Sequence, residues 1–487
     1  MNLVSRILLA CFIIAMSACL LIVHASDNRL STPTQLVNSG TPGNDSVQFI
    51  SCSPVPCVLP PTQASEGGFE VTDASITTNP VNRKQLLVGS VDSNCPFPSD
   101  LGFHLSTDGG SSWSLTCLDV IHSKDGGVYW PDGADPGVAY DRNGVAYISG
   151  SYFDSAQGAT GFVGFERSVD GVHWSAPAVA LAGGVNTIPD FSWLTVDSNA
   201  GSPYVNTIYV SAPIMGTTIQ VFVAHSIDGG NSWKSVAVGP VDTGRADDRF
   251  TNMIVGKDGT VYLTWMHCLP SGPAAYCANG SAYMLLSKSA DGGNTWSTPM
   301  VLQRAILNNQ GCHCPFGDLP NSDVRMSDFP VIGVDNSNGP YAGNLYAAMY
   351  SWTGTYMRVG VVRSIDGGRT WQKPVAVAPP SDTHDQFLPW LSVSPTGLVA
   401  VSWLDRRNDP ANVNYQAFAA ISTDGGQSFK PNVQLTTAFS NPNNNGYPGW
   451  MGDYTGNTWV GSNFVAAWMD SSNGVDMQVM VGGIRLK

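Results

Sequence analysis

Residues 364–371 read SIDGGRTW, and this pattern of Ser-x-Asp-Gly followed by an aromatic residue recurs along the chain. Within such a segment the Asp carboxylate accepts backbone N–H groups, glycine permits positive φ, and the aromatic ring packs back on a sheet. Each copy therefore predicts a hairpin turn between antiparallel strands. The six copies begin at Ser106, Ser168, Ser226, Ser289, Ser364 and Ser422.

A second element, an Asp that precedes an apolar strand, alternates with these turns along the chain. Six of these aspartates precede the next turn by 33 to 41 residues, which leaves room for three strands before the turn and one after it. Such a unit predicts a four-stranded antiparallel blade of a β-propeller. The aspartates are Asp73, Asp135, Asp190, Asp248, Asp328, Asp385 and Asp453.

The seventh Asp determines how the ring closes. Asp453 is followed by 34 residues, too few for a complete blade. Because an unfinished blade exposes unpaired backbone groups, we expect an N-terminal strand to complete it. Residues 46–50 (SVQFI) are the candidate for that strand. The prediction is an all-β propeller of seven blades, and six blades with an appended hairpin are the alternative.

Composition supports an all-β chain and restricts its partners. Charged residues make up 12% of the 487 residues, about half of the roughly 25% of an ordinary domain, and there are 52 Gly and 32 Pro. A surface so poor in Lys and Glu is not that of a helical protein. The net charge of −14 argues against nucleic acid and anionic membranes, because both require Lys and Arg.

The N-terminus predicts export. Residues 1–25 combine Arg6, an apolar run and a small-residue ending, which is typical of a signal peptide, and no later segment resembles a membrane span. A membrane anchor and a lipoprotein attached through Cys19 are the alternatives. The domain prediction is a signal peptide at 1–25, an N-terminal segment with the closing strand at 26–69, and a propeller at 70–487. We expect a secreted or periplasmic monomer.

Eight cysteines follow the signal peptide, and an even number in an exported chain predicts four disulfides. Cys52 with Cys57 and Cys95 with Cys117 are the natural local pairs. The connectivity of the other four remains open, and His267 and His313 beside them leave a metal site as the alternative. These four are Cys268, Cys277, Cys312 and Cys314.

The turn motifs resemble the Asp-boxes of the sialidase superfamily, and DFPVIGVDN, WLDRRNDP and GDYTGN resemble exported bacterial sialidase-like proteins. The resemblance implies a propeller that acts on glycans with arginines for the substrate carboxylate, a Tyr nucleophile activated by Glu, and an Asp acid/base. The Arg-Ile-Pro signature of sialidases is absent. None of Glu66, Glu70 and Glu166 is placed to activate a Tyr.

The strand-initial aspartates are expected to ring one mouth of the central channel, with Arg, Tyr and Trp residues near the same loop ends. Carboxylates with separated pKa values suit acid/base catalysis, guanidinium suits a carboxylate or sulfate, and aromatic rings suit sugar faces. Structural roles in turn capping, ion pairing and packing are the alternatives. The predicted catalytic residues are Asp73, Asp135, Asp248, Asp385, Asp453 and Tyr454. The predicted substrate-binding residues are Arg249, Arg325, Arg406, Arg407, Trp390 and Trp450.

The functional prediction is an exported, sialidase-like protein that hydrolyses a terminal glycosidic bond at the channel mouth. A non-catalytic propeller that binds a glycan, cell-wall polymer or protein is the alternative. The expected partner is a glycan or glycoconjugate. No cofactor and no catalytic metal are predicted, although Asp-rich turns leave structural calcium as a further alternative.

Overall fold

The computed structural model describes residues 52–96, 99–119, 121–122, 128–131, 134–154, 160–243, 247–269, 277, 280–309, 316–444, 446 and 449–486. Throughout these residues, regular structure consists of strands without helices, and no segment forms a helix that is able to cross a membrane. The strands form seven antiparallel blades, as predicted.

In blades 1 to 6 the four main strands follow one another in the chain and pair in that order. Blade 1 contains Val71–Thr78, Leu86–Asp92, Leu101–Ser106 and Ser114–Cys117. Blade 2 contains Gly137–Tyr140, Ala146–Asp154, Thr160–Ser168 and Ala178–Ala182, extended by Val128–Pro131 and Ile121–His122. Blade 3 contains Trp193–Val196, Ile208–Met215, Thr218–Ser226 and Lys234–Thr243, with Ile188–Pro189 also paired to its second strand.

The remaining blades repeat this arrangement. Blade 4 contains Asp247–Val255, Val261–Cys268, Ser281–Ser289 and Met300–Ile306. Blade 5 contains Val331–Val334, Leu345–Trp352, Met357–Ser364 and Val375–Ala376. Blade 6 contains Gln386–Val393, Val399–Asp405, Gln416–Ser422 and Val433–Gln434. Blade 7 contains Gly456–Val460, Asn463–Asp470 and Gln478–Arg485. A short ribbon of Gly317–Asp318 and Arg325–Met326 precedes blade 5.

The first strand of each blade is the innermost, and these strands contact their neighbours around a closed ring in which blade 7 meets blade 1. Cys57–Gln63 pairs antiparallel with Gln478–Arg485 and completes blade 7. Closure by an N-terminal strand is thus confirmed. The predicted position of that strand, residues 46–50, is wrong, because residues 57–63 form the closing strand. Residues 46–50 lie outside the described part of the chain.

All six Ser-x-Asp-Gly segments form the predicted turns between the third and fourth strands. In the turn at Ser364, its hydroxyl donates to Asp366 Oδ1 at 2.7 Å and accepts the Gly368 N–H at 2.9 Å. Asp366 also accepts the Thr370 N–H at 2.9 Å. Gly368 adopts a φ of 85°, a conformation that favours glycine. These turns lie at the opposite end of the blades from the start of the innermost strands.

A cation just before the turn links three blades to the next blade. Arg363 Nη1 donates to the Gly425 carbonyl at 3.1 Å, in the turn of the following blade. Arg167 and Lys288 make the same contact with Gly229 and Gly367, at 2.8 and 3.0 Å. A hydrogen bond from a charged donor to a partly buried carbonyl is stronger than a neutral one, so these contacts help to hold the blades in register.

The disulfides agree with the prediction where the chain is described. Cys52 is bonded to Cys57, and Cys95 to Cys117. Cys268 is bonded to Cys277, which assigns one pair that the sequence left open. Cys312 and Cys314 lie outside the described residues.

Candidate functional site at the channel mouth

A β-bulge near the start of the innermost strand shapes the channel mouth. In blades 1, 4 and 6 one extra residue interrupts the pairing with the second strand. The bulge residues there, Asp73, Phe250 and Leu388, have φ values of 56°, 55° and 46°. Asp135 in blade 2 and Phe191 in blade 3 share this conformation, at 56° and 54°. Bulges of this kind redirect side chains, and here they face neighbouring blades.

These positions divide the mouth into two halves of opposite character. The residues with positive φ in blades 3 and 4 are phenylalanines, Phe191 and Phe250, with ring centroids 4.3 Å apart, and Phe250 stacks on Phe329 of blade 5 at 5.2 Å. Blades 1 and 2 instead place Asp73 and Asp135 at this position. We call the second group, together with Asp190, Asp453 and Tyr454, the acidic cluster.

The carboxyl groups of the acidic cluster bond to backbone amides of adjacent blades. Asp73 Oδ1 accepts the N–H of Asp453. Asp135 Oδ2 accepts the Ser192 N–H at 2.9 Å and the Ser151 hydroxyl at 3.1 Å. Asp73 and Asp135 are therefore held in place by blades 7 and 3, and both are buried.

Burial and mutual repulsion raise the pKa values within this cluster. Burial, reinforced by the charge of Asp453, raises the pKa of Asp73 to about 8. Burial and the charge of Asp190 raise the pKa of Asp135 well above its ordinary value. The pKa of Asp190 is also raised by burial, and Arg249 opposes this shift. Burial and the charge of Asp453 therefore both favour the protonated form of Asp73.

Two arginines compensate part of the negative charge. Arg325 Nη2 lies 2.6 Å from Asp453 Oδ2 and the guanidinium lies over the ring of Phe316, with 4.2 Å from Cζ to its centroid. Arg249 Nε donates to Asp247 Oδ2 at 2.8 Å, and its Cζ lies 5.0 Å from the Phe191 centroid. The side chain of Arg325 is 27% exposed whereas that of Arg249 is 7% exposed, so Arg325 is the more accessible cation.

Tyr454 connects the acidic cluster with the aromatic half. Its ring lies 5.9 Å from both Trp193 and Trp390. Burial and the charges of Asp73 and Asp135 raise the pKa of its phenol, which therefore stays neutral. Among the described residues its hydroxyl has no hydrogen-bond partner. Such a group can bond to a ligand without first breaking an existing contact.

The predicted site residues thus fall into two sets. The first set lies together at the mouth, where its charged and phenolic groups contact or electrostatically influence one another: Asp73, Asp135, Asp453, Tyr454, Arg325 and Arg249. Trp390 joins this set through its contact with Tyr454, and Trp450 joins it through its contact with Arg325. The residues of the second set, Asp248, Asp385, Arg406 and Arg407, have other contacts.

The second set forms local ion pairs or hydrogen bonds. Arg406 is fully buried and pairs with Asp385 at 3.2 Å. Arg407 Nε lies 3.1 Å from Asp382 Oδ2, and the guanidinium also pairs with Asp405. Asp248 bonds to His267 at 2.8 Å and to Trp265 Nε1 at 2.8 Å. These contacts favour the structural alternative for this set.

Two cavities open near the mouth. A small one of about 10 Å³ is lined by Asp453, Tyr454, Phe329 and neighbouring residues. A larger groove of about 220 Å³ lies between blades 4 and 5, where Arg304, Arg358 and Trp352 line its polar and aromatic sides. These three residues lie near strand ends on the mouth side, and the groove continues from them along the outer strands to Pro374 and Ala376.

Comparison with known proteins finds similarity over part of the chain. A sialidase from Bacteroides fragilis is 24% identical over 189 residues, a segment that covers 34% of this chain and 30% of that protein. The chain is a β-propeller, and part of it is similar in sequence to this sialidase. No family model matches it.

Solved structures similar to the propeller include enzymes of more than one class. The Hadza microbial sialidase Hz136 shares 16% identity, with 78% of this chain and 73% of that chain covered and a TM-score of 0.45. An ulvan lyase shares 11% identity, with 84% and 94% covered and a TM-score of 0.49. A protein of unknown function from Dyadobacter fermentans shares 14% identity, with 89% and 100% covered and a TM-score of 0.46.

The structure adds residues that were outside the predicted site of the propeller. Asp190 is a strand-initial Asp, and its membership of that set was the available signal. Phe191, Phe250 and Phe316 form the aromatic half or contact its arginines. In the sequence these phenylalanines look like ordinary core residues. Only the folded geometry of the mouth shows that they lie beside its arginines.

Proposed function

We propose that this protein is an exported glycan-active propeller that hydrolyses a terminal glycosidic bond at the channel mouth. The observation that carries the proposal is the contact between two buried acids in different environments. Asp73 Oδ1 accepts the backbone N–H of Asp453, and burial raises the pKa of Asp73, whereas the carboxylate of Asp453 is bound to Arg325. Two carboxyl groups in different protonation states are what glycosidic hydrolysis requires. Predicted export is supported by the three disulfides found among the described residues, because disulfides are typical of oxidising compartments.

Each group has a role that its environment supports. Asp73 donates its proton to the leaving oxygen of the glycosidic bond. Tyr454 is the candidate nucleophile. Its oxygen bonds to the anomeric carbon while the phenol proton passes to the carboxylate of Asp453, and water then hydrolyses the glycosyl–tyrosine bond to release the sugar. Arg325, the most accessible charged group of this set, binds a carboxylate or sulfate of the sugar.

The two-sided mouth also suits a sugar ring. A pyranose presents hydroxyl groups at its edge and C–H groups on its faces, so it can bond to the acidic cluster while packing on aromatic rings. Trp193, Trp390 and Phe329 provide apolar surface beside Tyr454.

Fluorogenic glycosides, including sialosides, test the hydrolytic proposal with the purified mature protein. We expect Asp73→Asn to lower kcat by about 10²- to 10⁴-fold, the range contributed by a general acid. Asp335→Asn is the matched control, because Asp335 is buried in a turn at the opposite end of an innermost strand. Absence of turnover of every glycoside by the wild-type protein would reject hydrolysis.

Non-catalytic glycan binding is the second candidate, and the groove between blades 4 and 5 favours it. Its volume of about 220 Å³ exceeds the roughly 10 Å³ beside Tyr454, and it offers Trp352 with two arginines. On a glycan array, we expect Trp352→Ala to abolish binding and Arg369→Ala, at an exposed position on the opposite face, to retain it. Binding without turnover would support this candidate, whereas array binding that survives Trp352→Ala would contradict it.

A further inference from the structure

Asp242, Asp248 and His267 form a compact group where the chain passes from blade 3 to blade 4. His267 Nδ1 lies 2.8 Å from Asp248 Oδ1 and 3.4 Å from Asp242 Oδ2. One ligand atom from each residue falls within 4.8 Å of the others. Asp248 and His267 face each other across two paired strands, and Asp242 comes from the outermost strand of blade 3.

The negative charge of this group is incompletely compensated. Asp247, next to Asp248, has a fully buried side chain whose Oδ2 is bound to Arg249. Its Oδ1 is buried and has no hydrogen-bond partner among the described residues, and the buried Asp242 Oδ2 has only the long contact of 3.4 Å with His267 and the neighbouring carboxylate of Asp248. Three carboxylates therefore share one guanidinium and one imidazole. Buried carboxylate oxygens without donors are costly, and they are uncommon unless a cation is bound.

We propose that Asp242, Asp248 and His267 bind a zinc ion. One imidazole and two carboxylates are a ligand set that zinc accepts, with bonds of about 2.0–2.2 Å and an open fourth position. Ligand atoms around such an ion are separated by roughly 3.4 Å, and the separations of 2.8 and 3.4 Å need only a small adjustment. Calcium fits less well because it takes six to eight oxygen ligands.

The surroundings match those of a metal ligand group. Trp265 Nε1 donates to Asp248 Oδ1 at 2.8 Å, the same oxygen that faces His267, and so fixes the orientation of this carboxylate. Cys268, the next residue after His267, is bonded to Cys277, which fixes the end of that strand and removes both sulfurs as ligands. The zinc site therefore differs from the metal alternative considered from the sequence, in which cysteines joined His267 and His313.

The predicted effect is structural. A zinc ion would join the last strand of blade 3 to the first two strands of blade 4. It would also lie beside Asp247, which holds Arg249 against Phe191 at the channel mouth. Zinc binding is thus expected to stabilise the junction between these blades without taking part in the chemistry at Asp73.

Titration of chelator-treated protein with zinc chloride, followed by calorimetry, tests the proposal. We expect a stoichiometry of one and a rise in Tm of several degrees. His267→Gln should weaken zinc binding by about 100-fold or more, because losing even an outer partner of a metal ligand costs roughly 10- to 100-fold. His173→Gln, at an exposed turn, is the matched control and should bind as the wild type does.

A second variant and a spectroscopic measurement distinguish a loss of zinc binding from a failure of the variant to fold. Asp242→Asn changes a side chain that is 12% exposed and should fold, yet it should also weaken binding. Cobalt should give the absorption bands of a four-coordinate site in the wild type and lose them in both variants. Zinc binding that is absent in the wild type, or unchanged in both variants, would overturn the proposal, as would stabilisation by calcium alone.

Discussion

Arg325 and Asp453 are 128 residues apart in the chain, and their charged groups meet with Nη2 and Oδ2 separated by 2.6 Å. The arginine precedes blade 5 and the aspartate precedes blade 7, so the pair ties together two connections between blades. Asp453 has a side chain only 8% exposed, whereas Arg325 is partly open to solvent. The contact therefore combines a structural role with access to a ligand.

Removing Arg325 should destabilise the fold through its partner. We expect Arg325→Ala to lower the free energy of unfolding by about 1–3 kcal/mol, because the Asp453 carboxylate is left buried without a cation. In Arg325→Ala/Asp453→Asn much of this loss should be recovered. Urea denaturation of the wild type, both single variants and the double variant measures the coupling. Additive losses would contradict it.

Glu166 should make the fold less stable as the pH rises. Burial raises the pKa of Glu166 from 4.5 to about 8, so between these values the folded state retains a proton that the unfolded state releases. The free energy of unfolding then falls with increasing pH, by at most about 1.4 kcal/mol per pH unit. In Glu166→Gln the free energy of unfolding should fall less steeply with pH. Some decline should remain, because the pKa of Asp73 is also raised in the folded state.

Denaturation curves from pH 5 to pH 9 provide the measurement for Glu166. Glu66→Gln changes an exposed side chain and should reproduce the wild-type pH dependence. If Glu166→Gln shows the same slope as the wild type, the carboxyl group of Glu166 does not retain its proton in the folded state.

The serine hydroxyls of the turns should contribute more to the free energy of unfolding than the exposed side chains beside them. Ser364→Ala removes the buried acceptor for the Gly368 N–H and the donor to Asp366, which should cost about 1–3 kcal/mol. Ile365→Ala, in the same turn but 62% exposed, should change stability by less than about 0.5 kcal/mol. Equal effects of these two substitutions on the denaturation midpoint would contradict the assigned hydrogen bonds.

The closing strand should contribute core packing as well as pairing. Leu59 is buried within Cys57–Gln63, and Leu59→Ala should lower the free energy of unfolding by about 2–5 kcal/mol. Val81→Ala, at a position 66% exposed in blade 1, is the control and should have little effect. A negligible effect of Leu59→Ala in chemical denaturation would mean that the ring does not depend on this strand.

The propeller was predictable because its turns are local chemistry. Ser, Asp and Gly within a few residues are enough to specify a hairpin, and their repetition specified the blades. The closing strand was harder to locate because CVLPPTQ contains Pro60 and Pro61, which indicate a loop. An edge strand tolerates proline, since one side of it needs no ladder bonds, and the pairing is irregular between Leu59 and Thr62.

The site was predictable only in part because the aspartates are not equivalent. Asp73 and Asp135 have the positive φ themselves, whereas Asp248 precedes Phe250 by two positions and Asp385 precedes Leu388 by three. Side chains alternate along a strand and a bulge shifts that alternation, so a difference of two or three residues redirects the carboxylate. Sequence spacing alone did not indicate these offsets.

The antiparallel pairing of the closing strand has a mechanical consequence. Cys57, at the start of that strand, lies opposite Arg485, at the end of the last strand. A force that separates these two ends loads the ladder one rung at a time, because the hydrogen bonds of an antiparallel pair run perpendicular to the strands. Tension applied through the two ends should therefore break the hydrogen bonds between Cys57–Gln63 and Gln478–Arg485 one after another. This requires a far lower force than sliding the two strands past each other.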